Sequence, residues 1–508
     1  MSGTPKRRKL YLEPFFDGDG LPRSTKHRSL CAGRCNTQTK PDDSGVSTVY
    51  CVCCSADSPA RALMQNMVQY NVYFGCGWCL HPGKTVEGVG IARVQKPDSC
   101  EVKLLRMRQG VERNMAEAFE TGTHVQGVKG PSALINLAGF DIVWSFTPDY
   151  MHCVLLGVTR QFLELWLSNV GAAYYIGSPQ LLKEIDERLC HIKPPQCMAR
   201  LPRSVLLRKF WKATEWQQWL LYFSLVCVEG VLPGCYLTHF SLLVRGIFLL
   251  LQDEVSSADI ADSTDCLVQF VVGVQFLYSE KEMTSNVHQL LHLAKSVMLQ
   301  GPLWAHSCFG FEASMGKLKN LVTSAKGVPH QIMTRVIMTQ KVNACKAVAS
   351  PHVQDFLQCG APNKEPVALL GKPRPVEGPL YGLIERQVPD QITGPVVEHD
   401  RVCISGRVFH SEQYQRPNRT DCTAVRLPNN VCAKIQHIVS VSCSNMKRVF
   451  LVTKGYAASP SFGTTHIIKV ERWSSQKVIE IDADAVGCLW LECNGKNFFC
   501  NLVNRFRS

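Results

Sequence analysis

Six side chains of this 508-residue chain have the types and spacing for metal chemistry. Cys76 and Cys79, in Gly75-Cys-Gly-Trp-Cys79, have the spacing that lets one tight turn aim two thiolates at a single ion. Gly75 and Gly77 are expected to ease that turn. His288 and His292, in Asn286-Val-His-Gln-Leu-Leu-His292, stand one helical turn apart, so both imidazoles leave one helix face. Val287, Leu290, Leu291, Ala294 and Met298 are expected to point largely elsewhere. Two cysteines and two histidines make a closed tetrahedral set, which suits structural rather than catalytic zinc. Each half also has a plainer reading: one CxxC in a Cys-rich chain, and two polar residues on a helix. No Glu follows His288, so the HExxH metalloprotease pattern is excluded. Two acids complete the group: Asp57, and Glu312 in Ser307-Cys-Phe-Gly-Phe-Glu312.

These residues need elements to position them. Residues 47–54 are β-branched, aromatic and small apolar without helical period, which predicts a buried strand ending just before Asp57. Helical character follows over 60–70, with Leu63, Met64 and Met67 on one side. A strand, an acid and a helix together present a carboxylate at a strand's C-terminal end. From about 131 to 345 the pattern is mostly helical. Asp149 is expected to cap a helix running to about Ser168, with Met151, Val154, Leu155, Val158, Phe162 and Leu165 at helical spacing. Eight prolines between 351 and 395 predict an extended linker or irregular segment. Beyond 396, short alternating runs predict a small β domain, with strands at 402–404, 435–442, 448–453, 466–470, 478–481 and 488–492.

The balance of 45% hydrophobic and 19% charged residues is globular. With 55 Lys+Arg against 42 Asp+Glu, the net charge of +13 fits a polyanionic partner. The best membrane-spanning candidate, 226–251, is interrupted by Glu229, Pro233, His239 and Arg245, so no membrane association is expected. No apolar stretch follows the basic start, so an intracellular protein with reduced thiols among its 24 cysteines is expected. The cluster Pro5-Lys-Arg-Arg-Lys-Leu10 is of the nuclear-import kind.

The stretch Ala56-Asp-Ser-Pro-Ala-Arg-Ala62, followed by Tyr73-Phe-Gly-Cys-Gly-Trp-Cys-Leu-His-Pro-Gly83, resembles transposases of the CACTA/En-Spm type within the CMC superfamily. So do Gly127-Val-Lys-Gly-Pro-Ser132, Asp149-Tyr-Met-His-Cys-Val-Leu-Leu-Gly157, Trp211-Lys-Ala-Thr-Glu-Trp216 and Gly301-Pro-Leu-Trp-Ala-His-Ser-Cys-Phe309. The resemblance covers roughly residues 10–345. These enzymes are similar in catalytic plan to the vertebrate antigen-receptor recombinase, with an Asp shortly before a CxxC and a His pair shortly before the last Glu. The resemblance therefore implies Asp57 and Glu312 as second and third catalytic carboxylates, and Cys76, Cys79, His288 and His292 as zinc ligands joining them. It implies Mg²⁺ for phosphodiester cleavage and transfer, because paired hard cations activate the attacking oxygen and stabilise the leaving one. The partner implied is DNA, at transposon ends or in chromatin, in the nucleus; a homo-oligomer is compatible with this.

The fold class expected is α/β plus an all-α insertion. A partial RNase H-like core occupies 1–120 and 286–345, the helical insertion 121–285, the Pro-rich linker 346–395 and the β-rich domain 396–508. The first catalytic Asp is missing from this expectation. Asp17, Asp19, Asp42 and Asp43 precede Asp57, but too few residues separate Asp19 from Asp57 for the intervening strands and helix. Leu10-Tyr-Leu-Glu-Pro-Phe-Phe16 resembles the segment that lies between the two aspartates in the family. The expectation is an N-terminally truncated or domesticated copy, inactive alone, the alternative being a non-catalytic DNA- or chromatin-binding zinc protein. Glu215 is expected to be buried and paired, and Lys129, Arg203, Arg208, Lys209 and Lys212 are candidate phosphate contacts.

Overall fold

The computed structural model describes residues 34–35, 49–88, 90–92, 105–198, 200–358, 367–414, 419–427, 431–443, 446–481 and 485–503. The basic cluster at 5–10 and Asp17, Asp19, Asp42 and Asp43 lie outside the described residues. Within them the chain is mixed α/β, helical through its middle and β-rich towards its end.

A short parallel strand pair sits at the centre of the N-terminal part. Cys54–Ala56 runs beside Phe146–Pro148 with Ala56 opposite Pro148. Each strand ends at an aspartate, Asp57 or Asp149, so the register sets these two acids side by side. The strand expected over 47–54 is split into Val49–Tyr50, paired with Arg34–Cys35, and Cys54–Ala56. Asp57 caps the next helix, Ser58–Met64, by accepting from Ala60 N at 2.8 Å. That helix is shorter than the pattern over 60–70 suggested, because Asn66 turns left-handed at φ 54° and ends it.

The helical middle forms one large core. A π-helical segment, Met151–Thr159, continues as the α-helix Arg160–Ser168, which is the element expected after Asp149. Phe162 packs on Phe270 (centroids 5.1 Å apart) and Trp166 edge-on to Phe240 (4.8 Å). The apolar run 226–251 is not one helix: the chain leaves helical geometry after Val228, passes Pro233, and re-enters at Gly234–Leu250. The following helix, Ser257–Leu277, opens with a capping box between Ser256 and Asp259. It is long and apolar enough by length and composition to cross a membrane. Its Leu267, Phe270, Val271 and Val274 are buried in the shared core.

The C-terminal sheet is built on the antiparallel ladder Cys432–Cys443, Met446–Pro460 and Ile467–Glu480. The separate strands expected at 466–470 and 478–481 belong to one long strand, Ile467–Glu480. The sheet is not insulated from the helices. Ile467, Leu489, Leu491, Phe498 and Leu502 share a hydrophobic core with Val226, Leu250 and other helical residues. His466 donates from Nε2 to the Leu221 carbonyl (2.7 Å), and its ring stacks on Phe248. The segment 346–395, expected as an extended linker, holds the helices Pro351–Gln358 and Gly378–Gln387 and the strand Val367–Leu370. Leu380, Leu383 and Ile384 recur at helical spacing and pack under the sheet, outweighing the proline content.

Candidate metal centre

Cys76, Cys79, His288 and His292 converge, and all four are buried, at 6%, 0%, 1% and 2% exposure. Cys79 Sγ lies 3.2 Å from His288 Nε2, Cys76 Sγ 3.4 Å from His292 Nε2, and the two Nε2 atoms are 3.3 Å apart. Metal–sulfur distances of about 2.3 Å and metal–nitrogen distances of about 2.0–2.1 Å put the edges of a tetrahedral set at roughly 3.3–3.8 Å. The donor chemistry and spacing therefore fit one tetrahedral ion such as zinc. Burial alone would raise the Cys76 thiol. The hydrogen bond with Cys79 and the His292 and His288 imidazoles outweigh it and hold Cys76 well below the ordinary thiol range, which favours a metal-binding thiolate.

The histidine pair is delivered by a short helix, Ser285–Gln289, capped by the Thr284 side chain. A tight 3₁₀ turn, Leu290–His292, follows and leads into Leu293–Gln300. Val287, Leu290 and Leu293 fill the core while the histidines serve the cluster, but Met298, expected on that apolar stripe, is exposed. The cysteine loop is shaped by a residue that no sequence pattern singled out. Buried Arg106 donates from Nε to the carbonyls of Cys76 (2.9 Å) and Cys79 (3.1 Å), and from Nη2 to those of Phe74 and Gln126. The left-handed residue beside the CxxC is Phe74 (φ 56°), not Gly75 or Gly77. A Cβ at Gly77 would meet Gln65 Oε1 at 2.9 Å, the end of a side chain whose Nε2 is held by the Ile142 carbonyl.

Arg61 joins the cluster to the first carboxylate. It lies on the Asp57-capped helix, stacks its guanidinium on Trp78 at 4.1 Å and reaches Gln289, next to His288. Burial lowers its pKa to about 10, against the pull of the Cys76, Cys153, Asp149 and Asp57 charges.

Among the described residues, no cluster of three or more metal-ligating donor atoms within 4.8 Å of one another includes Asp57 or Glu312; the charges of both acids raise the His152 imidazole. Glu312 sits in the first turn of Phe309–Asn320 with its Oε1 3.7 Å from His152 Nε2. Asp149 fixes this arrangement from beneath. Its Oδ2 accepts from His152 N (2.9 Å) and Nδ1 (2.6 Å), and its Oδ1 accepts from Cys308 N (2.8 Å) and Ser307 Oγ (3.4 Å). Asp149 thus does the capping expected of it, and it also clamps the segment that carries Glu312. Burial would raise its carboxyl, but the His152 and amide hydrogen bonds outweigh this and hold it below the usual range. The hydrogen bond to Asp149 raises His152 against its partial burial, and the Glu312 and Asp57 charges add to the rise.

Glu215 is buried and bound to Arg203 at 2.6 Å, as expected. Two of the candidate phosphate contacts are engaged inside the chain, Arg203 with Glu215 and Arg208 with Glu164 at 2.8 Å. His152, Arg61 and Arg106 carry no role that the sequence alone assigned. The spacing of Asp149 and His152, one helical turn apart at a strand end, was the available signal for the first of them. No family model matches the chain, and no curated protein matches it.

Proposed function

We propose that this chain is a transposase-derived, DNA-associated nuclear protein, with a zinc ion joining two segments of an RNase H-like core. The observation that carries this reading is the buried Cys76, Cys79, His288 and His292 cluster, which joins segments more than 200 residues apart. Zinc fits the closed two-thiolate, two-imidazole set. Parallel strands ending in side-by-side acids, with a third acid on a later helix, are consistent with the RNase H-like part. Mg²⁺ held by Asp57 and Glu312 would supply the charge stabilisation that phosphodiester chemistry needs.

A second feature supports DNA as the partner. No described side chain between 310 and 346 is buried. From Phe309 to Ala347 the chain carries Lys317, Lys319, Lys326, Arg335, Lys341 and Lys346, with Glu312 as the single acid. An exposed basic arm leading away from a carboxylate site suits a polyanion that must reach that site.

A non-catalytic DNA- or chromatin-binding protein on the same scaffold is the second reading. It is favoured by Asp149, whose two oxygens are already taken by four donors. Among the described acids it is Glu312 whose carboxylate lies beside His152 Nε2, at 3.7 Å. Fluorescence anisotropy with duplex DNA tests the shared premise. Log affinity should fall linearly with log salt, and Gln at Lys317, Lys319, Lys326 and Lys341 should flatten the slope by about one for each lysine that pairs with a phosphate. Binding that is absent, or indifferent to salt, overturns both readings. Strand nicking by the purified chain in Mg²⁺, abolished by Glu312→Gln, selects the enzyme; intact DNA selects the non-catalytic protein.

A further inference from the structure

His152 occupies an unusual position. Its Nδ1 is held at 2.6 Å by Asp149, a carboxylate that is itself 2% exposed. Its Nε2 forms no hydrogen bond among the described residues and points into the space shared with Glu312, whose Oε1 is 3.7 Å away. A carboxylate on one ring nitrogen fixes the tautomer, placing the proton on Nδ1 and the lone pair on Nε2. This is the arrangement by which proteins prepare an imidazole to bind a metal. The separation of 3.7 Å is too long for a hydrogen bond and is compatible with two ligands on one ion.

We infer that His152 Nε2 and Glu312 together ligate a divalent first-row transition ion, and that Asp149 is the positioning residue behind His152. This rests on the proposed metal-binding role of Glu312. It adds to that reading a nitrogen ligand and a metal preference.

The neighbouring donors place the ion on the Glu312 side of His152. Asp149, His152 and Cys308 have donor atoms within 4.8 Å of one another, so they form a ligand-like triad of their own. Asp149, however, already accepts from His152 N, His152 Nδ1, Cys308 N and Ser307 Oγ, and binding an ion would cost it those bonds. Burial, and then the Asp149 charge, push the Cys308 thiol up, which keeps it from serving as a thiolate. Glu312, by contrast, is 63% exposed and His152 35% exposed, so both are open to an incoming ion and its waters. An imidazole in an otherwise oxygen set shifts preference from Mg²⁺ or Ca²⁺ towards ions that accept nitrogen. The plain alternative is an imidazolium–carboxylate ion pair between His152 and Glu312, which needs no metal.

The test uses Mn²⁺ as the probe on the full zinc-loaded chain. Electron paramagnetic resonance titration should show one Mn²⁺ bound, with nitrogen coupling from a single imidazole in the pulsed spectrum. His152→Ala should abolish that coupling and weaken Mn²⁺ roughly tenfold or more, and Asp149→Asn should weaken it on the order of tenfold. Zinc content should not change in either variant. Mn²⁺ bound in a Glu312-dependent way but without nitrogen coupling overturns the His152 assignment and leaves the carboxylate reading standing. No Mn²⁺ binding by the unaltered chain overturns both. The coupling is read on the unaltered chain, so the outcome does not depend on any variant folding.

Discussion

Changing both Cys76 and Cys79 to Ser removes the two thiolates and leaves two imidazoles buried at 1% and 2% exposure. The ion would join Cys79 to His288 across 209 residues of chain. Treated as a cross-link, a loop of that length constrains the unfolded chain by about 5 kcal/mol. Total folding stabilities are typically about 5–15 kcal/mol, so this link alone is a large share. For a chain of 508 residues the melting temperature should fall by about 5 °C. Zinc, measured by atomic emission, should drop from about one per chain to near zero. Chelation should lower the melting temperature of the unaltered chain and not of the variant. Trp78 and Trp144 lie 5.7 and 6.4 Å from the His292 ring, so tryptophan fluorescence gives a local readout of the same loss. A double-Ser variant that keeps its zinc, or loses it with no change in melting temperature, rules out a stabilising zinc cross-link at these residues.

Two further outcomes test the surroundings. A Cβ at Gly157 would sit 2.5 Å from Asn286 Nδ2 and 2.9 Å from the His152 carbonyl oxygen. Gly157→Ala should therefore cost about 1–3 kcal/mol in denaturant unfolding and, by displacing the helix that bears His288, speed zinc loss to a chelator; unchanged stability and zinc retention would contradict this. Burial lowers His239, His306 and His466 from 6.5 to about 4, so each is neutral in the fold while the unfolded chain binds the proton first. Stability is then full above about pH 6.5 and falls by about 1.4 kcal/mol per pH unit per histidine as pH drops towards 4. Unfolding of His466→Gln should show a shallower acid slope than the parent; equal slopes would refute its share.

The four residues of the candidate metal centre were legible because their signal is local: two thiols across a turn and two imidazoles one helical turn apart. Their convergence was not local, and only the resemblance to a transposase family suggested it. Asp149 shows where the pattern ran short. Its place before an apolar helix announced a cap, and it does accept from the His152 amide. Its bonds to Cys308 and Ser307 depend on a segment more than 150 residues away, which no periodicity reveals. Arg106 was hidden for the same reason, since a guanidinium that binds four carbonyls leaves no spacing rule in the sequence. In the C-terminal part the alternation gave strand positions closely, as with Arg401–Ile404 around the expected 402–404. It did not give their packing. Leu489, Leu491 and Phe498 look like the inner face of a self-contained sheet, yet they are buried against Val226 and Leu250 of the helices. The prolines of 351–395 misled in the opposite direction, because Pro379 lies in the first turn of Gly378–Gln387, where a missing N–H costs nothing.

X-ray absorption at the zinc edge of the purified chain reads the ligand shell of the metal centre itself. Two sulfur ligands at about 2.3 Å and two imidazole nitrogens at about 2.0–2.1 Å are expected, with His288→Ala or His292→Ala removing one nitrogen. A zinc shell dominated by oxygen, a shell of four sulfurs, or a chain that binds no zinc would contradict a Cys76, Cys79, His288 and His292 site.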